Sequence, residues 1–147
     1  MGKTIVDRRD QACLLYEVLR IDELFATEKF GEFSREMCDM ALELSEQLGE
    51  EVVFPTYMAG DREGCRLVDG RAIVPECYHE AHRVLNEAGV FTMGVSAEAG
   101  GQGFPYVIDS ACREHFVHNK GFLLYPEATI GAAHMIEVFG SEEQKQK

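Results

Sequence analysis

The stretch "AEAGGQGFP", Ala97–Pro105, decides the fold class. Its glycines can cradle a phosphate between a strand and a helix in an α/β chain, or turn the chain tightly between two helices. A dinucleotide fingerprint needs GxGxxG directly after a strand and opening a helix, with an acidic residue about 20 positions further on. A Walker loop ends in Gly-Lys-Ser/Thr. In this chain Gly101-Gln102-Gly103 runs into Phe104 and Pro105, with no lysine and no strand ahead of it in a βαβ pattern. The stretch reads as a connection between two helices.

The flanks agree. Downstream, Pro105 opens a helix with Ile108, Ala111, Cys112 and Phe116 inward, ending near Gly121. A long apolar helix follows over Leu124 to Phe139, using Ala128, Gly131, Ala132, Met135 and Phe139, and Gly140 stops it. "SEEQ", Ser141–Gln144, is a capping box that begins another helix. The chain stops at Lys147 inside that helix's first two turns, so the expectation is an amino-terminal piece of something longer.

Upstream, Pro75 starts a helix with Tyr78, Ala81, Leu85 and Ala88 on its apolar face and Gly89 at its end. Before it, "CRLVDGRAIV" is two short apolar runs joined by Asp69-Gly70. That pair suits a type I′ turn, which needs positive φ at both positions. The spacing predicts a small β-hairpin near residues 65–74, inside a non-helical excursion from Pro55 to Pro75. Ser34 is a good N-cap for a helix whose apolar stripe is Met37, Met40, Ala41, Leu44 and Leu48, running to about Val53. From Arg9 to Ala26, the positions Leu14, Val18, Ile21 and Phe25 mark one further helical face. The class is all-α: an up-and-down bundle of about five helices with a hairpin excursion, forming one helical domain over residues 1–147.

Composition narrows the function classes. At 147 residues with 46% hydrophobic content the chain is long enough for a real core. A net charge of −12 argues against nucleic acid and against an anionic membrane surface. No apolar run approaches the length of a membrane span. "MGKTIVDRRD" has no apolar signal core, and Val6 breaks the myristoylation pattern, so a cytoplasmic protein is expected. The five cysteines are odd in number and no pair has CxxC spacing, which reads as free, mostly buried thiols in a reducing compartment.

The histidines pair as His79/His82 and His115/His118, both at helical spacing. Glu76 and His79 form one Glu-x-x-His pair, whereas di-iron bundles use two such pairs and two more carboxylates. Cys77 and His79 lie about 200° apart around a helix and cannot share a zinc ion. The imidazoles read as solvated or core-edge groups. The residues by themselves thus describe a cytoplasmic helical domain and leave open a metal-binding bundle or a standalone interaction module.

"SAEAGGQGFP" resembles the P-E-x-G-G-x-G loop of the acyl-CoA dehydrogenase family, and "FGSEEQKQK" resembles its G-[ST]-x-E-Q-K segment. Ala97 and Ala99 depart from that loop pattern, standing where the family has Pro and an aromatic. "GDREGCRLVDGRAIVPECYHEAHRVLNEAG" and "LYPEATIGAAHMIEVFGSEEQ" are similar to the branch of the 3-methylmercaptopropionyl-CoA dehydrogenases. The resemblance implies the amino-terminal helical domain of a three-part enzyme, with the middle β-domain and carboxy-terminal helical domain lying beyond this chain. The parent would be an FAD-dependent, homo-oligomeric enzyme that removes the α-proton of an acyl-CoA while hydride leaves the β-carbon for flavin, and passes electrons to an electron-transfer flavoprotein. No catalytic residue, FAD site or metal site falls in this chain on that reading. What falls in it is one wall of the acyl pocket, at Leu124, Tyr125, Glu127, Ala128 and Gly131. Ala128 and Gly131 leave room on one helical face, which suits either an acyl chain or close helix–helix packing.

Overall fold

The computed structural model describes residues 5–145. The first four residues, part of the targeting reading, and residues 146–147 lie outside it. The chain is an all-α bundle with one small hairpin. α1 (Arg8–Ala12) is capped by the Asp7 carboxylate, which accepts from the Arg9 N–H at 2.9 Å, and continues as a π-helical turn over Cys13–Val18. A 3₁₀ turn follows at Ile21–Ala26. α2 (Arg35–Leu48) starts at the Ser34 cap and also widens into a π turn, Gly49–Val53. α3 is Thr56–Glu63. Strands β1 (Arg66–Val68) and β2 (Arg71–Ile73) pair antiparallel with Leu67 opposite Ala72. α4 (Glu76–Glu87), α5 (Tyr106–Glu114), α6 (Lys120–Phe139) and the short α7 (Glu142–Lys145) complete the chain.

Two apolar clusters hold these elements. One joins α1 and its π turn, α2 and α5 through Leu15, Tyr16, Cys38, Leu42, Ile108 and Cys112. The other joins the α2 end, α4, the Val90–Thr92 turn and the start of α6 through Val53, Leu85, Phe91, Phe116, Phe122 and Leu123. The expected hairpin, the Gly89 stop and the inward residues of α5 are all present. Asp69 and Gly70 take φ of 50° and 76°, as a type I′ turn requires. The capping box closes in both directions: Ser141 N–H donates to Gln144 Oε1 at 2.8 Å and Gln144 N–H to Ser141 Oγ at 3.4 Å.

Four expectations need correction. The single helix over Arg9–Ala26 is three pieces, broken at Arg20 with φ 53°. The π turn shifts the phase, so Leu15, Tyr16 and Ile21 are buried while Leu14 and Val18 are exposed. On α2 the buried face is Cys38, Ala41, Leu42, Ser45 and Leu48, and the larger Met37, Met40 and Leu44 stand on an exposed flank. The small residues win the interior because they let α5 lie close. Ser45 satisfies its hidden hydroxyl by donating to the Ala41 carbonyl at 2.8 Å. The excursion from Pro55 to Pro75 is half helical: Pro55 caps α3, where a missing N–H costs nothing, so it starts a helix. Finally, α5 ends at Glu114 and α6 begins at Lys120, because Asn119 caps α6. The cysteines are free as expected, but only Cys38 and Cys112 are buried; Cys13 and Cys65 are exposed.

Candidate functional site: the open face of α6

α6 is anchored at its start by a buried polar chain, tied again near its far end through Glu137, and open along one face between. Asn119 is 1% exposed. Its Oδ1 accepts from the Phe122 N–H at 3.2 Å, capping the helix, and its Nδ2 donates to Thr56 Oγ1 at 2.8 Å. Thr56 in turn donates to the Val53 carbonyl at 2.7 Å, and the Tyr78 hydroxyl approaches Asn119 Oδ1 at 3.4 Å. This buried polar chain ties α6 to α3 and α4, and Phe122 and Leu123 fill the apolar cluster beside it. The sequence reading missed Asn119. The available signal was an N-cap residue three positions before Phe122, at the head of the apolar run.

Beyond the first turn α6 remains apolar and meets little of its own chain. Leu124, Ala128, Gly131 and Met135 recur at helical spacing on one outward face. Leu124 is 59% and Met135 61% exposed. A Cβ added at Gly131 would meet nothing within 4 Å. Close packing of this chain on those small residues is therefore absent among the described residues. The other two expected wall residues take the flanks. Tyr125 lines two adjoining clefts of about 250 and 270 Å³ beside α4, with Tyr78, His82, Phe122, Pro126 and Ile130 among their walls. Glu127, paired with Lys120 Nζ at 3.4 Å, lines a cleft of about 160 Å³ beside α5, together with Gly131, Arg113 and His134. The structure thus gathers Leu124, Ala128 and Gly131 on one open face with Tyr125 and Glu127 to either side, and does not close them into a pocket.

The α5 flank is polar. Arg113 donates through two nitrogens to the Asp109 carboxylate, both at 3.0 Å, with Asp109 buried. Gly94 leaves the space this carboxylate occupies: a Cβ there would approach Asp109 Oδ2 to 3.0 Å. The loop after Gly94 is the glycine-rich stretch, and its glycines give their N–H groups back to the chain. Gly101 N–H donates to the Ser96 carbonyl at 2.8 Å, Gln102 N–H to Thr92 at 3.1 Å, Gly103 N–H to Val95 at 2.8 Å and Phe104 N–H to Met93 at 3.0 Å. Gln102 Nε2 also donates to the Gly89 carbonyl at 2.7 Å. Gly101 packs against the Val95 carbonyl, where a Cβ would collide. Hydrogen bonds from Ser96 hold the Glu137 carboxyl below its usual range, fastening this loop to the far end of α6.

Among the described residues the glycines of this loop do not fit the pyrophosphate of a flavin dinucleotide: Gly100, Gly101 and Gly103 already give their N–H groups to the carbonyls of Ala97, Ser96 and Val95. Among the described residues, no three His, Cys, Asp or Glu side chains come together where they could hold a metal ion. His82 lies against Phe91 and His118 against Phe54. Burial pushes the Cys38 thiol up to about 12 and the Cys112 thiol up to about 11, which keeps both protonated and unreactive.

Residues 64–147 match the family model described as acyl-CoA dehydrogenase, N-terminal domain. The chain is 33% identical over 138 residues to the 3-methylmercaptopropionyl-CoA dehydrogenase of Ruegeria pomeroyi, a match covering 92% of this chain and 21% of that protein. It is 28% identical over 141 residues to the broad-specificity linear acyl-CoA dehydrogenase FadE5 of Mycobacterium tuberculosis, covering 93% of this chain and 23% of that protein. The chain spans about a fifth of the length of these relatives.

Proposed function

The chain belongs to the acyl-CoA dehydrogenase family, and from that premise we propose that it is the amino-terminal helical domain of an FAD-dependent, cytoplasmic enzyme that oxidises acyl-CoA thioesters to their 2-enoyl forms. Its part is one wall of the acyl pocket, formed by Leu124, Ala128 and Gly131 with Tyr125 and Glu127 at the sides. Flavin, the catalytic base and the rest of the pocket come from the middle and carboxy-terminal domains. The assembled enzyme is a homo-oligomer and hands its electrons to an electron-transfer flavoprotein. The chain is inactive by itself.

One observation carries this reading: the outward face of α6 is apolar, roomy at Gly131 and uncovered. A helix with little polar face is stable in water only when another apolar surface covers it. An acyl chain and the domains that enclose it are such a cover. Among the described residues no helix is long and apolar enough to cross a membrane.

Two purified proteins test the proposal: this chain, and the complete product of the gene that encodes it. The complete product is expected to show a flavin absorption band and to form enoyl-CoA with an artificial electron acceptor. Gly131→Leu in it should raise KM for acyl-CoA at least tenfold with flavin content unchanged. A yellow, active 147-residue chain would refute the division of labour. Unchanged kinetics in the Gly131→Leu enzyme would remove the wall.

A further inference from the structure

The β1–β2 hairpin and a groove that none of its residues line are complementary, and we propose that they bind each other between two copies of this chain. All six strand residues of the hairpin are exposed, Leu67 to 77%. A two-stranded hairpin is marginal in water unless something packs on it. The register places Arg66, Val68, Arg71 and Ile73 on one face. Arg66 pairs only with Glu63, at 3.5 Å, and Arg71 forms no ion pair among the described residues. In a chain of net charge −12 this projecting face is cationic and apolar.

The groove has the opposite character. It encloses about 600 Å³ between residues 28–33, the glycine-rich loop and the carboxyl half of α6. Phe30, Phe33, Phe104 and Tyr106 line it, and Glu28, Glu32 and Glu98 stand around it without ion pairs among the described residues. A cation already lies on its aromatic surface: Lys29 Nζ sits 5.2 Å from the centroid of the Phe30 ring. The groove therefore offers carboxylates to Arg66 and Arg71, rings to Val68 and Ile73, and Lys29 to Asp69 at the hairpin tip.

A second copy is the occupant because of charge. Two chains of −12 repel over most of their surfaces. The hairpin face is where the sign inverts, and the acidic aromatic groove is a matching surface. The contact joins unlike surfaces, so it closes as a reciprocal pair when a two-fold axis relates the copies and otherwise builds a ring or an open chain.

Sedimentation velocity of the full chain, from about 1 to 100 µM at low salt, tests this. The chain should associate, and less so as salt rises. Arg66→Glu/Arg71→Glu and Glu28→Lys/Glu32→Lys should each associate at least about a hundredfold more weakly. Mixing the two should restore association, since the arginine hairpin meets an intact acidic groove and the glutamate hairpin meets a lysine groove. Helical circular dichroism of each variant verifies folding; Arg71→Gln and Glu32→Gln, with a milder loss of about tenfold, replace any variant that misfolds. A chain that is monomeric throughout, a variant that associates like the parent chain, or a mixture that stays monomeric would each overturn the proposal.

Discussion

Leu123 and Leu124 are neighbours in α6 with identical side chains, yet one is 1% exposed and the other 59%. Leu123 points into the cluster made with Val53, Leu85 and Phe116. Leu124 points along the outward face shared by Ala128 and Gly131. The same contrast holds for the whole helix: its first turn is held by Asn119 and two buried side chains, and the rest is apolar with little of this chain to cover it. Apolar sequence shows that a surface must be covered. It does not show which part of a protein does the covering.

The contrast has its largest consequence at the leucines themselves. Leu123→Ala should destabilise the chain by about 3 kcal/mol, because it removes buried methyl groups and leaves a cavity. Leu124→Ala should stay within about 0.5 kcal/mol, as a surface change does. Urea midpoints of the two variants measure this directly. Equal losses would show that the outward face is packed within the chain after all.

The anchor comes next. Asn119→Ala removes an N-cap and leaves Thr56 Oγ1 without its donor and Tyr78 without its neighbour, so a loss of about 2 kcal/mol is expected. Asn119→Asp should recover the cap to Phe122 and not the donation to Thr56, falling between the two. If Asn119→Ala unfolds at the same urea concentration as the parent chain, α6 is not held from this end.

The two halves of α6 differed in legibility for a physical reason. The hairpin, the Gly89 stop, the capping box and the α5 face follow local rules, and all could be read from short patterns. So could the interhelical role of "GGQG", whose donors turn back on Ala97, Ser96, Thr92 and Val95. The faces of α1 and α2 could not. A π turn after Ala12 shifts the period, and on α2 the interior went to Cys38, Ala41 and Ser45 because α5 comes close, a tertiary fact that larger neighbours such as Met40 disguise. Of the site, apolar α6 with its small residues was legible. Asn119 was missed because its cap lies five residues before the start assigned to the helix.

Acid should loosen the packed region before the open one. Burial holds the imidazoles of His115 and His118 below their ordinary value. Gln11 gives both its N–H groups to the Ala111 carbonyl and Glu114, so its Oε1 accepts from His115 Nε2 at 3.3 Å, and His115 Nδ1 is left without a partner. Well above about pH 6.5 both rings are neutral folded or unfolded, and they contribute nothing to the pH dependence. As pH falls below that, the unfolded chain takes up protons that the folded chain resists, so stability declines until the lower folded values are passed. Glu46 and Glu114 near His115 moderate the decline and Arg8 adds to it. Urea midpoints at about pH 7.5 and about pH 5.5 should differ in that direction. A midpoint shift that is the same in a His115→Gln/His118→Gln chain would contradict the burial of these rings, because relief of repulsion in a chain of net charge −12 is common to both.

The smallest effect separates the two roles of the open face most cleanly. Gly131 lies in the interior of α6 with nothing within 4 Å of the position a Cβ would take. Alanine there meets no clash and forms helix more readily, so Gly131→Ala should stabilise the isolated chain by about 0.5–1 kcal/mol. A glycine retained where alanine is better for the chain is explained if something outside the chain needs the space. In the complete enzyme the same methyl group would enter the proposed acyl wall, and KM for long acyl-CoA substrates should rise by a few-fold while that for short ones barely moves. If alanine is stabilising in the chain and silent toward every acyl length in the enzyme, the room at Gly131 belongs to a domain contact, and the wall must be sought on the Tyr125 flank.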